Sequence, residues 1–284
     1  MNELKIDSPA KINLTLDIIK KRVDGYHELE MIMQELELKD EIILKELNEN
    51  KIIIKCNAPE VPLNEKNLVW KAAELIKEVY GIEKGIEISI NKIIPVAGGL
   101  GGGSSNAAAV IKGLNKLWKI KMHEKDLQET TKKIGMDVAF FLYGKTCFAS
   151  GRGEKITEIK SFPKTRVLVC NPGIRVSTPT AYSKVNYEKS GKVLASKKLR
   201  KAIEQGKKIE ELAELLHNDF EFSVLEDFPE IKHVKEIMKE NSFKVLMSGS
   251  GSTVFCFPKT KEDSTKIIQK LTQKYHTVIE TFTV

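Results

Sequence analysis

Apolar and polar residues alternate along Ile86-Glu87-Ile88-Ser89-Ile90, a period of two that predicts a half-buried strand. The same period runs through residues 4–19, at Ile12, Leu14, Leu16 and Ile18, interrupted by Ser8-Pro9-Ala10-Lys11. Further strand patterns cover residues 31–38, 41–45 and 51–56. A helical period takes over from Leu68 to Tyr80, with Leu68, Ala72, Leu75, Ile76 and Val79 on one face, Asn67 placed to cap it and Gly81 to end it. A second helical run covers residues 107–118, with Ser104 or Ser105 as cap, and a third covers 124–133. Residues 145–150 and 154–159 flank Gly151-Arg152-Gly153 as a hairpin.

The composition changes near Phe162-Pro163, so two domains are expected, residues 1–162 and 163–284. The second half reads strand (166–171), helices (179–186, 197–204, 209–217, 230–240), two strands across a Gly-Ser-Gly turn (243–247, 253–257), helix (262–274) and strand (277–283). With its inserted helices this is a βα-ββ-αβ order, that of a ferredoxin-like domain.

Between the strand at residues 86–90 and the helix that follows lies Pro95-Val96-Ala97-Gly98-Gly99-Leu100-Gly101-Gly102-Gly103-Ser104-Ser105, with five of the chain's eighteen glycines. Strand, glycine loop and helix start make a phosphate cradle: glycine lets backbone N–H groups approach an anion, and the helix start adds free donors and a positive dipole end. A side chain at Gly102 is expected to fill the space the phosphate needs. A Walker loop requires Lys and then Ser or Thr after its last glycine, and Gly103 is followed by Ser104. A dinucleotide fingerprint begun at Gly99 ends on Ser104 instead of Gly or Ala. Neither common phosphate loop fits, and a flexible linker is the bland alternative.

Two charged residues sit in apolar settings. Lys11 follows Pro9, which breaks the ladder and frees the chain to bulge inward; an edge or solvent-facing lysine is the alternative. Asp137 stands in Ile134-Gly135-Met136-Asp137-Val138-Ala139-Phe140, where an acid is a helix cap or a functional group. The net charge of +7 comes without a basic block, so a lysine-rich solvated surface or small anionic substrates explain it as well as nucleic acid does. The four cysteines form no Cys-x-x-Cys pair and read as buried free thiols of a reducing compartment. The five histidines show no metal-ligand spacing. With no signal-peptide pattern and no apolar run near eighteen residues, a cytoplasmic protein without membrane contact is expected.

The string Gly99-Leu100-Gly101-Gly102-Gly103-Ser104-Ser105 resembles the phosphate loop of the GHMP kinases. Ser8-Pro9-Ala10-Lys11-Ile12-Asn13-Leu14 with Asp24-Gly25-Tyr26-His27 resembles the N-terminal signature of one branch, whose acceptor is a cytidine diphosphate ester of methylerythritol. Gly135-Met136-Asp137-Val138 with Gly151-Arg152-Gly153-Glu154 resembles that branch's catalytic-acid region, and residues 246–255 resemble its third motif. The likeness covers the chain in order, except for residues 191–205. Met136 stands where the branch more often has a small residue, and Asn106 where it frequently has Asp; both forms occur in the branch, and if a carboxylate there helps hold metal, this chain lacks it.

The resemblance implies an α+β, two-domain fold: an N-terminal α/β domain with a left-handed βαβ crossover and a ferredoxin-like C-terminal domain. It implies an ATP-dependent kinase that phosphorylates the ester's tertiary 2-hydroxyl with Mg²⁺, in non-mevalonate isoprenoid synthesis, as a monomer or homodimer. Asp137 would be the general base and Lys11 the cation that holds it ionised. Residues 95–105 would bind ATP; Asn13, Tyr26, His27, Tyr182, Gly249 and Ser250 would bind the acceptor, with His27 reading cytosine between Tyr26 and Tyr182. Tyr182 follows Ser177-Thr178-Pro179, where Thr178 can cap a short helix that fixes its ring. The rivals are a GHMP kinase of another alcohol such as homoserine or mevalonate, a basic RNA-binding protein, and a pseudokinase scaffold.

Overall fold

The structure, a computed structural model, describes residues 2–284. Strands β1 (Glu3–Lys21), β2 (His27–Leu47) and β3 (Ile52–Cys56) are followed by helix α1 (Leu68–Tyr80), β4 (Gly85–Asn91), α2 (Gly102–Leu117) and α3 (Glu124–Ile134). A 3-10 turn at Met136–Val138 leads to α4 (Phe140–Tyr143), β5 (Thr146–Gly151), β6 (Lys155–Glu158), β7 (Arg166–Asn171), α5 (Thr178–Ser183), α6 (Ala195–Glu204) and α7 (Ile209–Glu214). Then come β8 (His217–Asn218), α8 (Glu221–Asp227), α9 (Pro229–Lys239), β9 (Ser242–Met247), β10 (Val254–Pro258), α10 (Lys261–Thr272) and β11 (Thr277–Phe282).

Helix α1 has the bounds its pattern predicts. The Asn67 side chain accepts from Val69 N–H, Gly81 closes the helix at φ 61°, and Val69, Ala72, Ala73 and Ile76 are buried. Helix α2 starts earlier than its apolar period: Gly101, at φ 71°, is the N-cap, so Ser104 and Ser105 lie inside the first turn and neither is the cap. Strand β1 runs through Pro9 without a break. Strand β2 joins the two segments expected on either side of Lys39-Asp40, because Asp40 is buried within it and accepts from the N–H groups of Ile93 and Ile94.

Two compact units form, each discontinuous in sequence, since β1 and β2 both pass from one into the other. The first comprises the residues through Ala10 with Leu38–Val96 and Gly101–Tyr143. In it the second half of β2 pairs antiparallel with β4, from Glu41↔Asn91 to Leu47↔Gly85. Strand β4 pairs in parallel with β3, and α1 makes the crossover between them. Helices α1 and α2 pack together, and Ile42, Leu44, Val69, Ala72, Ile88, Ala107, Val110 and Leu114 are fully buried.

The second unit comprises Lys11–Glu37, Ala97–Leu100 and Gly144–Val284. Here the first half of β2 pairs with β5, β5 forms a hairpin with β6, and β1 pairs in parallel with β8 at Thr15↔His217. A four-stranded antiparallel sheet has the order β11-β7-β10-β9, which is 4-1-3-2 of its own strands, the ferredoxin-like arrangement. Helices α9 and α10 pack on it. Residues 162 and 163, where a domain division is expected from the sequence, both lie in this unit just before β7. Among the described residues no helix is long and apolar enough to cross a membrane.

Candidate functional site

The expected site residues fall in both units. Pro95, Val96, Gly101 to Ser105 and Asp137 belong to the first; Lys11, Asn13, Tyr26, His27, Ala97 to Leu100, Tyr182, Gly249 and Ser250 belong to the second.

In the first unit the start of α2 has no side-chain cap and no acidic residue in its first turn. Its first helical bond runs from Ser105 N–H to the Gly101 carbonyl, so the N–H groups of Gly102, Gly103 and Ser104 precede the helix ladder. These are donors at the positive end of a helix, suited to an anion. Below them is a buried polar network. Asp40 accepts from Lys92 Nζ at 2.5 Å and from Asn106 Nδ2 at 2.9 Å; Asn106 Nδ2 also reaches Ser8 Oγ, which donates to Ser105 Oγ at 2.8 Å. Asn106 is therefore a donor to a buried carboxylate, and an Asp in its place would set two acids together. A Cβ at Gly102 would stand 2.9 Å from Lys92 Nζ and 3.2 Å from Ile94 Cγ2. The crowding at Gly102 comes from the protein, whereas the Cβ direction of Gly103 is open but for Leu68 Cδ1 at 3.9 Å. Asp137, half-buried in its 3-10 turn, sits on an element that packs against α2 and α3.

In the second unit three separate motifs converge. Lys11 is 3% exposed, donates its N–H to the Leu100 carbonyl at 2.9 Å, and points Nζ at Asn13 Oδ1, 2.6 Å away. Lys11 is thus buried, not at the solvent edge, and its backbone N–H bonds to the glycine loop while β1 continues through it. A Cβ at Gly249 would stand 3.4 Å from Asn13 Oδ1 and 3.7 Å from Lys11 Nζ, so both heads face that turn. Gly99 approaches the same turn closely: Ser248 Oγ donates to its carbonyl at 2.9 Å, and a Cβ on it would lie 2.2 Å from the Ser248 carbonyl oxygen. Asn218 braces the turn from below, donating to the carbonyls of Met247 and Gly249 at 2.8 Å each.

Ser250 Oγ is 3.0 Å from Thr178 Oγ1, which ties the turn to α5. That helix is capped by Ser177, one residue before the expected cap, because the Ser177 hydroxyl accepts from Thr180 N–H. It holds Tyr182 edge-on against buried Phe220, with centroids 4.8 Å apart, and face-on to His27 at 4.5 Å with 16° between planes. Tyr26 does not form the other side of this stack. Its ring meets the Arg152 guanidinium, 4.8 Å from its centroid, and the second aromatic at His27 is Tyr187, whose Oη is 2.7 Å from Nε2. Burial and the charge of Lys21 push the His27 imidazolium pKa down, which favours the neutral ring.

Tyr187, Phe220, Asn218 and the pair Asp40–Lys92 escape a sequence reading. Tyr187 lies in a turn-rich stretch without periodicity, and Asp40 reads as a break between strands. Another juxtaposition that spacing conceals is Asp17, His217 and Asp219, whose ligand atoms lie within 4.8 Å of one another. The Asp17 oxygens accept from Ala195 and Ser196 N–H, and those of Asp219 accept from Ile18 N–H, Gly191 N–H and His217 Nε2, so the cluster joins β1, α6 and β8.

Family models for the GHMP kinases N terminal domain and the GHMP kinases C terminal match residues 67–145 and 199–277. A 4-diphosphocytidyl-2-C-methyl-D-erythritol kinase of Clostridioides difficile (strain 630) is 41% identical over 280 residues, covering 98% of this chain and 94% of its own. The enzyme of the same name from Bacillus licheniformis (strain ATCC 14580) is 44% identical over 249 residues, 87% of this chain and 86% of its own. A crystal structure of 4-(cytidine 5'-diphospho)-2C-methyl-D-erythritol kinase superposes with a TM-score of 0.82 at 30% identity, covering 99% of both chains. The chain belongs to the GHMP kinase family, in the branch of the 4-diphosphocytidyl-2-C-methyl-D-erythritol kinases.

Proposed function

We propose that this chain transfers the γ-phosphate of ATP to the 2-hydroxyl of 4-diphosphocytidyl-2-C-methyl-D-erythritol, a step of non-mevalonate isoprenoid synthesis. The observation that carries the acceptor assignment is the stacked His27–Tyr182 pair, joined through Thr178 and Ser250 to the turn that Lys11 and Asn13 face. A flat base has a use for such a pair; homoserine and mevalonate have none. Stacking is worth about 1–3 kcal/mol per base but does not tell one base from another, so the hydrogen-bonding edge of His27 supplies the discrimination.

The uncapped N–H groups at the start of α2 take the ATP phosphates. A tertiary alcohol is a crowded nucleophile, so positioning and charge stabilisation carry the rate. Asp137 takes the proton of the hydroxyl, and Lys11 offsets the negative charge that develops there. Mg²⁺ prefers oxygen ligands and commonly binds through substrate phosphates with few protein groups. That fits a loop whose Ser105 and Asn106 side chains are bonded to Ser8 and Asp40. The ion would lower the charge of the transferring phosphate.

An ADP-release assay over a panel of acceptors tests the assignment. Turnover with the cytidine diphosphate ester is expected to exceed that with homoserine or mevalonate by roughly 10²-fold or more in kcat/KM. Equal or faster turnover with either small alcohol would overturn it.

A further inference from the structure

His27 touches more than the ring it stacks on. Its Nε2 lies 2.7 Å from the hydroxyl of Tyr187, with 10° between the ring planes, and among the described residues its ring makes no other hydrogen bond. Tyr187 is 43% exposed and stands in the turn-rich stretch after α5, so its hydroxyl is not needed to satisfy a buried core. A neutral imidazole has one N–H and one lone pair, and the hydrogen bond made by one nitrogen decides which atom carries the proton. A phenolic O–H is a strong donor whose oxygen lone pairs are drawn into its ring, while the bare imidazole nitrogen is a strong acceptor. The better pairing is therefore Tyr187 O–H donating to His27 Nε2.

We propose that Tyr187 is a positioning residue that fixes His27 in its Nδ1–H tautomer and thereby sets the preference for cytidine. This rests on the reading of His27 as the group that meets the base. With Nε2 accepting from Tyr187, the remaining polar atom of the ring is a donor at Nδ1. Cytosine offers that donor two acceptors, N3 and O2. Uracil has O2 but carries a proton on N3, and two N–H groups facing each other repel. Stacking on Tyr182 holds the imidazole plane, Phe220 holds Tyr182, and Tyr187 determines which edge donates. The depressed pKa of His27 supports this, because an imidazolium would donate from both nitrogens and could not accept from Tyr187.

The test pairs a spectroscopic readout with a kinetic one. Long-range ¹H–¹⁵N spectra of protein labelled at histidine are recorded for the wild type and Tyr187→Phe, with the His27 signal assigned from its loss in His27→Gln. The wild type is expected to show Nδ1–H at His27, the tautomer that free histidine side chains disfavour in water. Tyr187→Phe is expected to return it toward Nε2–H. The kcat/KM preference for the cytidine over the uridine diphosphate ester should fall about tenfold or more in the same variant, with the change borne by KM. A wild-type His27 protonated at Nε2 overturns the inference, whichever base the enzyme prefers. The expected tautomer change with an undiminished cytidine preference overturns the specificity role of Tyr187. Absence of turnover on the cytidine ester in the wild type removes the underlying functional reading, and the spectra then still decide the tautomer.

Discussion

What a glycine does is settled by what a Cβ in its place would meet, and the loop's glycines divide on that test. Gly99, at φ 78°, would drive its Cβ to 2.2 Å from the Ser248 carbonyl oxygen, and Gly98 would meet Thr253 Oγ1 at 2.4 Å and Asn171 Nδ2 at 2.6 Å. Those two positions are glycine because protein packs there. Gly103 has ordinary helical backbone and open space, so it separates ligand effects from folding effects. Gly99→Ala is expected to lose about 1–2 kcal/mol to its left-handed backbone, with about 1–3 kcal/mol more from overpacking. Gly103→Ala should fold at least as well, since alanine is favoured over glycine in a helix by about 1 kcal/mol. A methyl group against the phosphate should nevertheless cost it roughly tenfold or more in ATP affinity. Urea titration and calorimetry read the two quantities separately; wild-type ATP affinity in the Gly103 variant would take the cradle away from this helix start.

At the scale of elements, legibility followed how local the determining contacts are. Helix α1 carries its cap and its left-handed terminating glycine within fifteen residues of sequence, and both are visible in it; of its expected apolar face Ala72 and Ile76 are buried, but Val79 is exposed and Val69 and Ala73 turn inward instead. Helix α2 conceals its start because Gly101 caps it by backbone conformation alone, and the apolar period begins only at Ala107. The junction inside β2 misleads because the partners of Asp40, Ile93 and Ile94, lie 53 and 54 positions away. Short α8 and two-residue β8 have too little length to show a period. The strands make a chemical prediction of their own. Burial pushes the thiols of Cys147 on β5, Cys170 on β7 and Cys256 on β10 up to about 12, whereas Cys56 at the end of β3 is half-buried. A thiolate is the reacting form, so native protein should yield one fast thiol to a disulfide reagent at pH 8 and all four only when unfolded. Loss of the fast phase in Cys56→Ala would assign it; a second fast thiol would contradict the buried strands.

For the whole molecule, the order of elements in the second half was enough to anticipate a ferredoxin-like sheet, because β7, β9, β10 and β11 and the helices α9 and α10 each carry their own pattern, whatever is inserted between β7 and α9. The grouping into compact units was not legible, since it depends on where β1 and β2 pass from one unit to the other and no composition change marks Ala10 or Glu37. The chemistry has the same character. Lys11 and Asp137 are 126 positions apart in a chain of 284, and nothing in either neighbourhood names the other. If Asp137 is the base and Lys11 the cation of one reaction, removing either disables the same step. Asp137→Asn is expected to lower kcat by about 10²–10⁴-fold while KM for both substrates changes little. Lys11→Met should also lower kcat, and the double variant should fall far short of the product of the two losses, as for residues that act as a unit. Rapid-quench measurement of the phosphoryl-transfer step keeps product release out of the comparison. Wild-type transfer in the Asn variant would remove Asp137 from the chemistry, and losses that simply multiply would show that the two residues act independently.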